Sequence, residues 1–271
     1  MRLRRISTFA IFLVIARCWL APPHAMGDDD VAGLVIRLHS ERLDVTAIYA
    51  LEAHRPDPRI IPALASAFDN RKSKRDRQKI AGTLLRLGER SEKYFDFLAH
   101  YAQSAVDDRA PSFAKYDSNG RPIKGQFSAE FENWCAQNGK DRRSVAALQV
   151  SEYPEDILAL GEAEDSRSIP ILRQGLDSPY PMVVALSVQG LGRLRDIAAM
   201  PLIAKVAKRF PEKSRAIAME LPWYAWPEAE ALRVRLVPDR KARDFDAADV
   251  EAMRSIERKR VLSRSGVRVE K

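Results

Sequence analysis

Leu160-Gly161-Glu162-Ala163-Glu164-Asp165-Ser166-Arg167-Ser168-Ile169-Pro170-Ile171-Leu172 returns 31 residues later as Leu191-Gly192-Arg193-Leu194-Arg195-Asp196-Ile197-Ala198-Ala199-Met200-Pro201-Leu202-Ile203. The Leu-Gly pair, the aspartate, the proline and the closing aliphatic residue keep their spacing. A fixed period between roughly twenty and fifty residues marks a protein of stacked repeats. Each period contains two short amphipathic patterns. Ile169, Leu172 and Leu176 share one helical face at i, i+3 and i+7, and Val183, Leu186, Ser187, Gly190 and Leu194 form the second pattern. Helices this short cannot bury their apolar faces alone, so each pair needs its neighbours. The spacing therefore predicts an all-α chain, an α-solenoid of helix pairs, with Leu172, Leu176, Leu186 and Leu191 in the shared core.

The same signal stands further upstream. Asp57-Pro58-Arg59-Ile60-Ile61-Pro62-Ala63-Leu64 matches the 165–172 segment at five of eight positions, and Phe68-Asp69 stands where Leu176-Asp177 stands. The aspartate suits a helix cap, and proline is harmless in a first turn. A second helix is expected over 74–87 with Gly88 as its C-cap, and Tyr94, Phe95 and Leu98 begin a third that ends near Val106. Before these, segments 31–39 and 43–53 read as short helices, the first with Asp28 to Asp30 at its positive end.

From 107 to 140 the period is lost. Pro111, Asp117-Ser118-Asn119-Gly120-Arg121-Pro122 and Gly125 mark turns, and the flanking segments could pair as a hairpin across Asn119-Gly120. A calcium-binding EF-hand loop fails there, because its first and twelfth positions would be Lys115 and Gln126. Ser128 then caps a short helix through Phe131 and Trp134, and regular repeats are expected to resume at 144–150 and 156–160. Helices at 212–221 and 228–237 flank Pro222-Trp223-Tyr224-Ala225-Trp226-Pro227, and Val250, Met253 and Ile256 mark a last helix before a basic end. The expected organisation is a leader at 1–25, N-terminal repeats at 26–106, an irregular insertion at 107–140, C-terminal repeats at 141–240 and a basic helix and tail at 241–271.

Of the 271 residues, 46% are hydrophobic and 30% charged, with only 12 glycines, which fits helices better than sheets. The net charge of +8 draws four arginines from the first 25 residues, which hold no acids, so the remainder carries 8 − 4 = +4. That is a weak basis for nucleic-acid binding. Arg2-Leu3-Arg4-Arg5 followed by the apolar Ile6 to Ala16 has the form of an export signal, too short to span a bilayer. Cleavage after Ala25 would leave a periplasmic or secreted protein without a stable membrane span. Its single cysteine, Cys135, would then exclude an internal disulfide. Cys18 follows Arg17, which spoils a lipobox. A start at Met26 would make the same chain cytosolic, and both readings stay open.

The Leu160 to Leu172 run and its copy resemble HEAT repeats of the phycobilisome-lyase-like kind. The resemblance covers 57–88 and 156–237 well, 91–106 loosely and 107–140 not at all. It implies the solenoid fold and is nearly mute on activity, because such repeats occur in lyases, hydroxylases, DNA glycosylases and plain scaffolds. The family usually places an arginine early in the second helix; Arg77 fits that place, whereas Val184 replaces it in the best-marked repeat.

Little chemistry is legible. His24, His39, His54 and His100 are too few, and none precedes a glutamate, for the paired iron site of a HEAT-like hydroxylase. Arg71-Lys72-Ser73-Lys74-Arg75-Asp76-Arg77 is the one basic cluster, and a solvated face is its plainer reading. Nucleophile elbows, phosphate loops and Cys-x-x-Cys pairs are missing from the sequence. The expectation is therefore a binding scaffold with no catalytic, cofactor or metal residues and no nucleic-acid partner. Trp223, Tyr224 and Trp226 are its candidate contact with a protein, or else a cover over a helix end. The alternative is a cytosolic HEAT-like enzyme or nucleic-acid-binding protein starting at Met26.

Overall fold

The computed structural model describes residues 28–54, 57–116, 122–209, 211–224 and 227–237. These residues are predominantly helical, and the chain is all-α. The helices are α1 (Asp28–Leu38), α2 (Val45–Ala53), α3 (Ile60–Asn70), α4 (Lys74–Arg86) and α5 (Glu92–Asp107), followed by α6 (Ala129–Gln137) and α7 (Arg142–Ala147). Then come α8 (Tyr153–Glu162), α9 (Ile169–Gly175), α10 (Pro181–Arg193), α11 (Met200–Arg209), α12 (Pro211–Glu220) and α13 (Pro227–Leu236). Two strands, β1 (Ala114–Tyr116) and β2 (Pro122–Phe127), pair antiparallel with Ala114 opposite Phe127 and Tyr116 opposite Pro122. The Asn119-Gly120 turn and the helix expected around Val250 lie outside the described residues.

Consecutive helices pair: α1 on α2, α3 on α4, α9 on α10, α11 on α12. The second members also touch each other in order, α2 to α4, α4 to α8, α8 to α10 and α10 to α12. Helix α5 packs on α4, α8 and α9, so its partner is α8, although the two are separated by residues 108–152. The insertion thus interrupts a pair instead of lying between pairs. Segment 144–150 does not resume the repeat. It forms α7 and a π-helical turn (Leu148–Glu152), with Val145 and Ala146 packed against Ala110, Phe131 and Cys135 in a small core of their own.

The main core is continuous from Val31 to Leu232. Leu64, Leu160, Leu172 and Leu191 are fully enclosed, each contributing roughly 1.5–3 kcal/mol. Leu176 is also buried, but Leu186 is only half-buried. Neighbours cover α10 on several sides, and Leu186 lies one turn after the exposed Met182, on the side left open.

The repeat copies itself down to single hydrogen bonds. Asp57 Oδ1 accepts from the Arg59 backbone N–H at 2.8 Å and its Nε–H at 3.0 Å. Asp165 Oδ1 accepts from the same two groups of Arg167 at 2.9 and 3.0 Å. In the third copy Ala198 replaces the arginine, and Asp196 instead pairs with Arg173 at 2.6 and 2.7 Å. Helix ends repeat as well. Gly88 turns left-handed at φ 94°, with its N–H donating to Leu85 O and that of Glu89 to Leu84 O. At the corresponding turns Glu164 and Arg195 adopt φ 53° without being glycine.

Successive pairs meet at glycine. A Cβ on Gly161 of α8 would lie 2.9 Å from Gly190 Cα of α10. A Cβ on the matching residue one period later, Gly192, would lie 2.8 Å from Trp223 Cβ. The Leu-Gly signature therefore marks where one unit's backbone is pressed by the next.

Candidate functional site

The row of second helices carries a cleft of about 80 Å³ between α2, α4 and α8. Its lining includes the apolar Val45, Ile48 and Leu158, together with Arg75, Lys79 and Arg86 from α4 and Glu155 and Glu162 from α8. The helical period places these groups together, because 75, 79, 82 and 86 share one face of α4 and 155, 158 and 162 one face of α8.

Arg86 anchors the cleft. It meets Glu52 with Nε and Nη2 at 3.0 Å each, Thr83 Oγ1 at 2.9 Å and the Glu162 carbonyl at 2.8 Å. Burial alone would weaken its charge, but the hydrogen bonds and charge of Glu52 outweigh it and raise its pKa. This ion pair locks α2, α4 and α8 together, since a buried guanidinium is tolerable only when its donors are filled. Arg75 pairs with Glu155 at 3.1 Å at the rim.

A second polar cluster lies along the same two helices. Asp156 of α8 is buried; it accepts from Gln78 Nε2 at 2.6 Å and pairs with Lys74 Nζ at 3.1 Å. Burial raises the Asp156 pKa against the opposing pull of Gln78 and Lys74. Lys74 also reaches Glu152 at 3.0 Å, which ties the end of the insertion to α4. At the other end of the insertion Asp108 accepts from Tyr153 Oη at 2.7 Å.

Much of the basic cluster of 71–77 is engaged within the fold. Arg71 donates to the carbonyls of Leu38, Ser40 and Glu41, filling acceptors left open at the end of α1. Arg77 lies between the rings of Phe68 and Phe97 at 4.3 and 4.4 Å. Lys74 and Arg75 hold the partners above, and Lys72 is exposed.

The aromatic turn folds against α10. Tyr224 is buried, and Trp223 is half-buried on Gly192 beneath the Arg193 guanidinium, 4.1 Å from its ring. Trp226 lies outside the described residues. Cys135 is enclosed, and burial pushes its thiol pKa up, so the reactive thiolate is disfavoured. His39 and His100 are exposed and His54 half-buried. Among the described residues no group of three His, Cys, Asp or Glu is arranged to hold a metal, and no helix is long and apolar enough to cross a membrane.

Sequence reasoning missed the Glu52–Arg86 and Lys74–Asp156 pairs, whose members stand 34 and 82 residues apart. The chain matches no family model, no curated protein and no solved structure.

Proposed function

We propose that this chain is an exported α-solenoid of HEAT-like helix pairs that binds a protein partner and performs no chemistry of its own. The supporting observation is the unbroken succession of second helices, α2, α4, α8, α10 and α12, with a polar cleft opening on it. Stacked pairs of this kind offer long surfaces suited to extended partners. Within the cleft, Arg75 and Arg86 are held by Glu155 and Glu52, the arrangement of a positioned recognition surface. The half-buried Trp223, together with Trp226, is the second contact surface in this reading, whereas Tyr224 is buried against α10 and is withdrawn from it.

The test begins with the full chain expressed behind its own N-terminus in a Gram-negative host. Fractionation and intact-mass measurement should find the protein in the periplasm with residue 26 first. Mild cross-linking should then retain a protein at fixed stoichiometry. Cytosolic protein with a retained Met1 leader, or stoichiometric bound metal or chromophore, would contradict the reading.

A further inference from the structure

The insertion between α5 and α8 is built apart from the repeats. Phe131 and Cys135 of α6 are enclosed with Val145 and Ala146 of α7 and with Ala110, and none of the five belongs to the main core. Among the described residues, 109–147 make no hydrogen bond or ion pair with a repeat helix. Their bonds stay inside the insertion, as Ser128 Oγ to the Ser112 carbonyl at 2.9 Å and Arg142 to Glu132 at 2.6 Å do. A segment with its own core and few bonds across its boundary moves as a unit unless a large apolar interface holds it.

The join is narrow. Gln149 belongs to the insertion, since its Oε1 accepts from the Phe113 N–H at 2.8 Å and its Nε2 donates to the Pro111 carbonyl at 3.0 Å. Tyr153 belongs to the repeats, because it packs on the main core and stacks on Tyr180 with ring centres 5.8 Å apart. Between them Val150, Ser151 and Glu152 are exposed and lie in the π-helical turn, a geometry at which helices kink. On the entering side the chain leaves α5 through Asp108, whose backbone is extended.

Two side-chain bonds close this neck. Asp108 accepts from Tyr153 Oη at 2.7 Å, and Glu152 accepts from Lys74 Nζ at 3.0 Å. The second is a surface pair, with the Glu152 side chain 52% exposed, and such pairs hold weakly. The Tyr180 hydroxyl is buried beside Asp108 and Gln149 without a well-formed hydrogen bond, so the closed neck is incompletely satisfied.

We propose that the insertion is a hinged arm. Residues 109–149 turn as one body about Asp108 and 150–152, and the Asp108–Tyr153 bond is the clasp that holds the arm beside the starts of α4 and α8. Closed, the arm fixes Glu152 on Lys74, one helical turn from the Arg75–Glu155 pair at the rim of the cleft.

The experiment uses the full chain with donor and acceptor dyes on non-canonical amino acids at the exposed Lys140 of the insertion and Asp96 of α5, read by single-molecule energy transfer. The parent protein should show two interconverting distances. Tyr153→Phe should raise the minor population about fivefold or more, and Glu152→Gln about twofold. Lys93→Ala, which breaks a surface pair with Asp69 away from the neck, should leave it unchanged. Hydrogen exchange should find the α6 amides equally protected in all four proteins, because the arm carries its own core. A single distance unmoved by Tyr153→Phe and Glu152→Gln together would overturn the proposal. Loss of α6 protection or of helical circular dichroism in Tyr153→Phe would overturn it too, since the insertion would then depend on the repeats for its fold.

Discussion

Replacing Gly161 with alanine tests the way successive units meet. The new Cβ would lie 2.9 Å from Gly190 Cα and 3.5 Å from Gly190 N, against roughly 3.5–4.0 Å for carbon atoms at rest. The obstacle is backbone, so no side chain can swing aside, and α8 must move from α10 by several tenths of an ångström. That movement loosens Ile157, Leu160, Val188 and Leu191, all fully enclosed beside the crossing. Overpacking of this kind costs about 1–3 kcal/mol. Alanine in a helix interior returns up to about 1 kcal/mol relative to glycine. The net loss should be about 1–2 kcal/mol, which lowers Tm by roughly 2–8 °C for a domain of this size. Gly33→Ala is the internal control, because its helical position has nothing within 4 Å, and it should gain about 0.5–1 kcal/mol. Calorimetric melting of the three proteins decides the matter. A Gly161→Ala protein as stable as Gly33→Ala would refute the backbone contact between α8 and α10.

Leu191→Ala should cost roughly 2–5 kcal/mol in urea unfolding, and a loss below about 0.5 kcal/mol would place Leu191 outside the core. Asp165 has its pKa lowered, first by the hydrogen bond from the Arg167 side chain, with burial opposing. Its native form therefore holds fewer protons than the unfolded chain, so its stabilisation is present above the usual carboxylate value of 3.8 and lost as pH falls below it. Asp165→Asn should flatten that acid limb in a pH series of melts; an unchanged slope would contradict the pairing. The Cys135 thiol should react slowly with a disulfide reagent in the native protein and fully in urea, and rapid native reaction would show that its enclosure is wrong.

The parts of the fold that could be read from sequence are those in which a local rule recurs. Asp57-x-Arg59 and Asp165-x-Arg167 are each self-contained, since the aspartate fills its own helix start within two residues. Gly88 announced its left-handed turn through the absence of a Cβ, whereas Glu164 and Arg195 adopt the same conformation with no such signal. The pairing of α5 with α8 was hidden because residues 108–152 break the period, and the contact depends on three-dimensional proximity alone. The cleft was illegible for the same reason: Glu52, Lys79, Arg86 and Glu162 are ordinary helix-surface residues until three helices bring them together. Trp223 stood out by size, yet its packing on Gly192 follows from the repeat glycine, a small residue whose meaning lies in what approaches it.

The central claim is that the row of second helices receives a protein. Its most direct test places a photo-crosslinking amino acid at position 79 in the cleft and, in a second protein, at the exposed Asp96 on α5. Both proteins are irradiated in the compartment where the chain resides, and adducts are identified by mass. The account predicts a discrete protein adduct from position 79 and none from position 96. Adducts of equal yield from both positions, or adducts from position 96 alone, would contradict it.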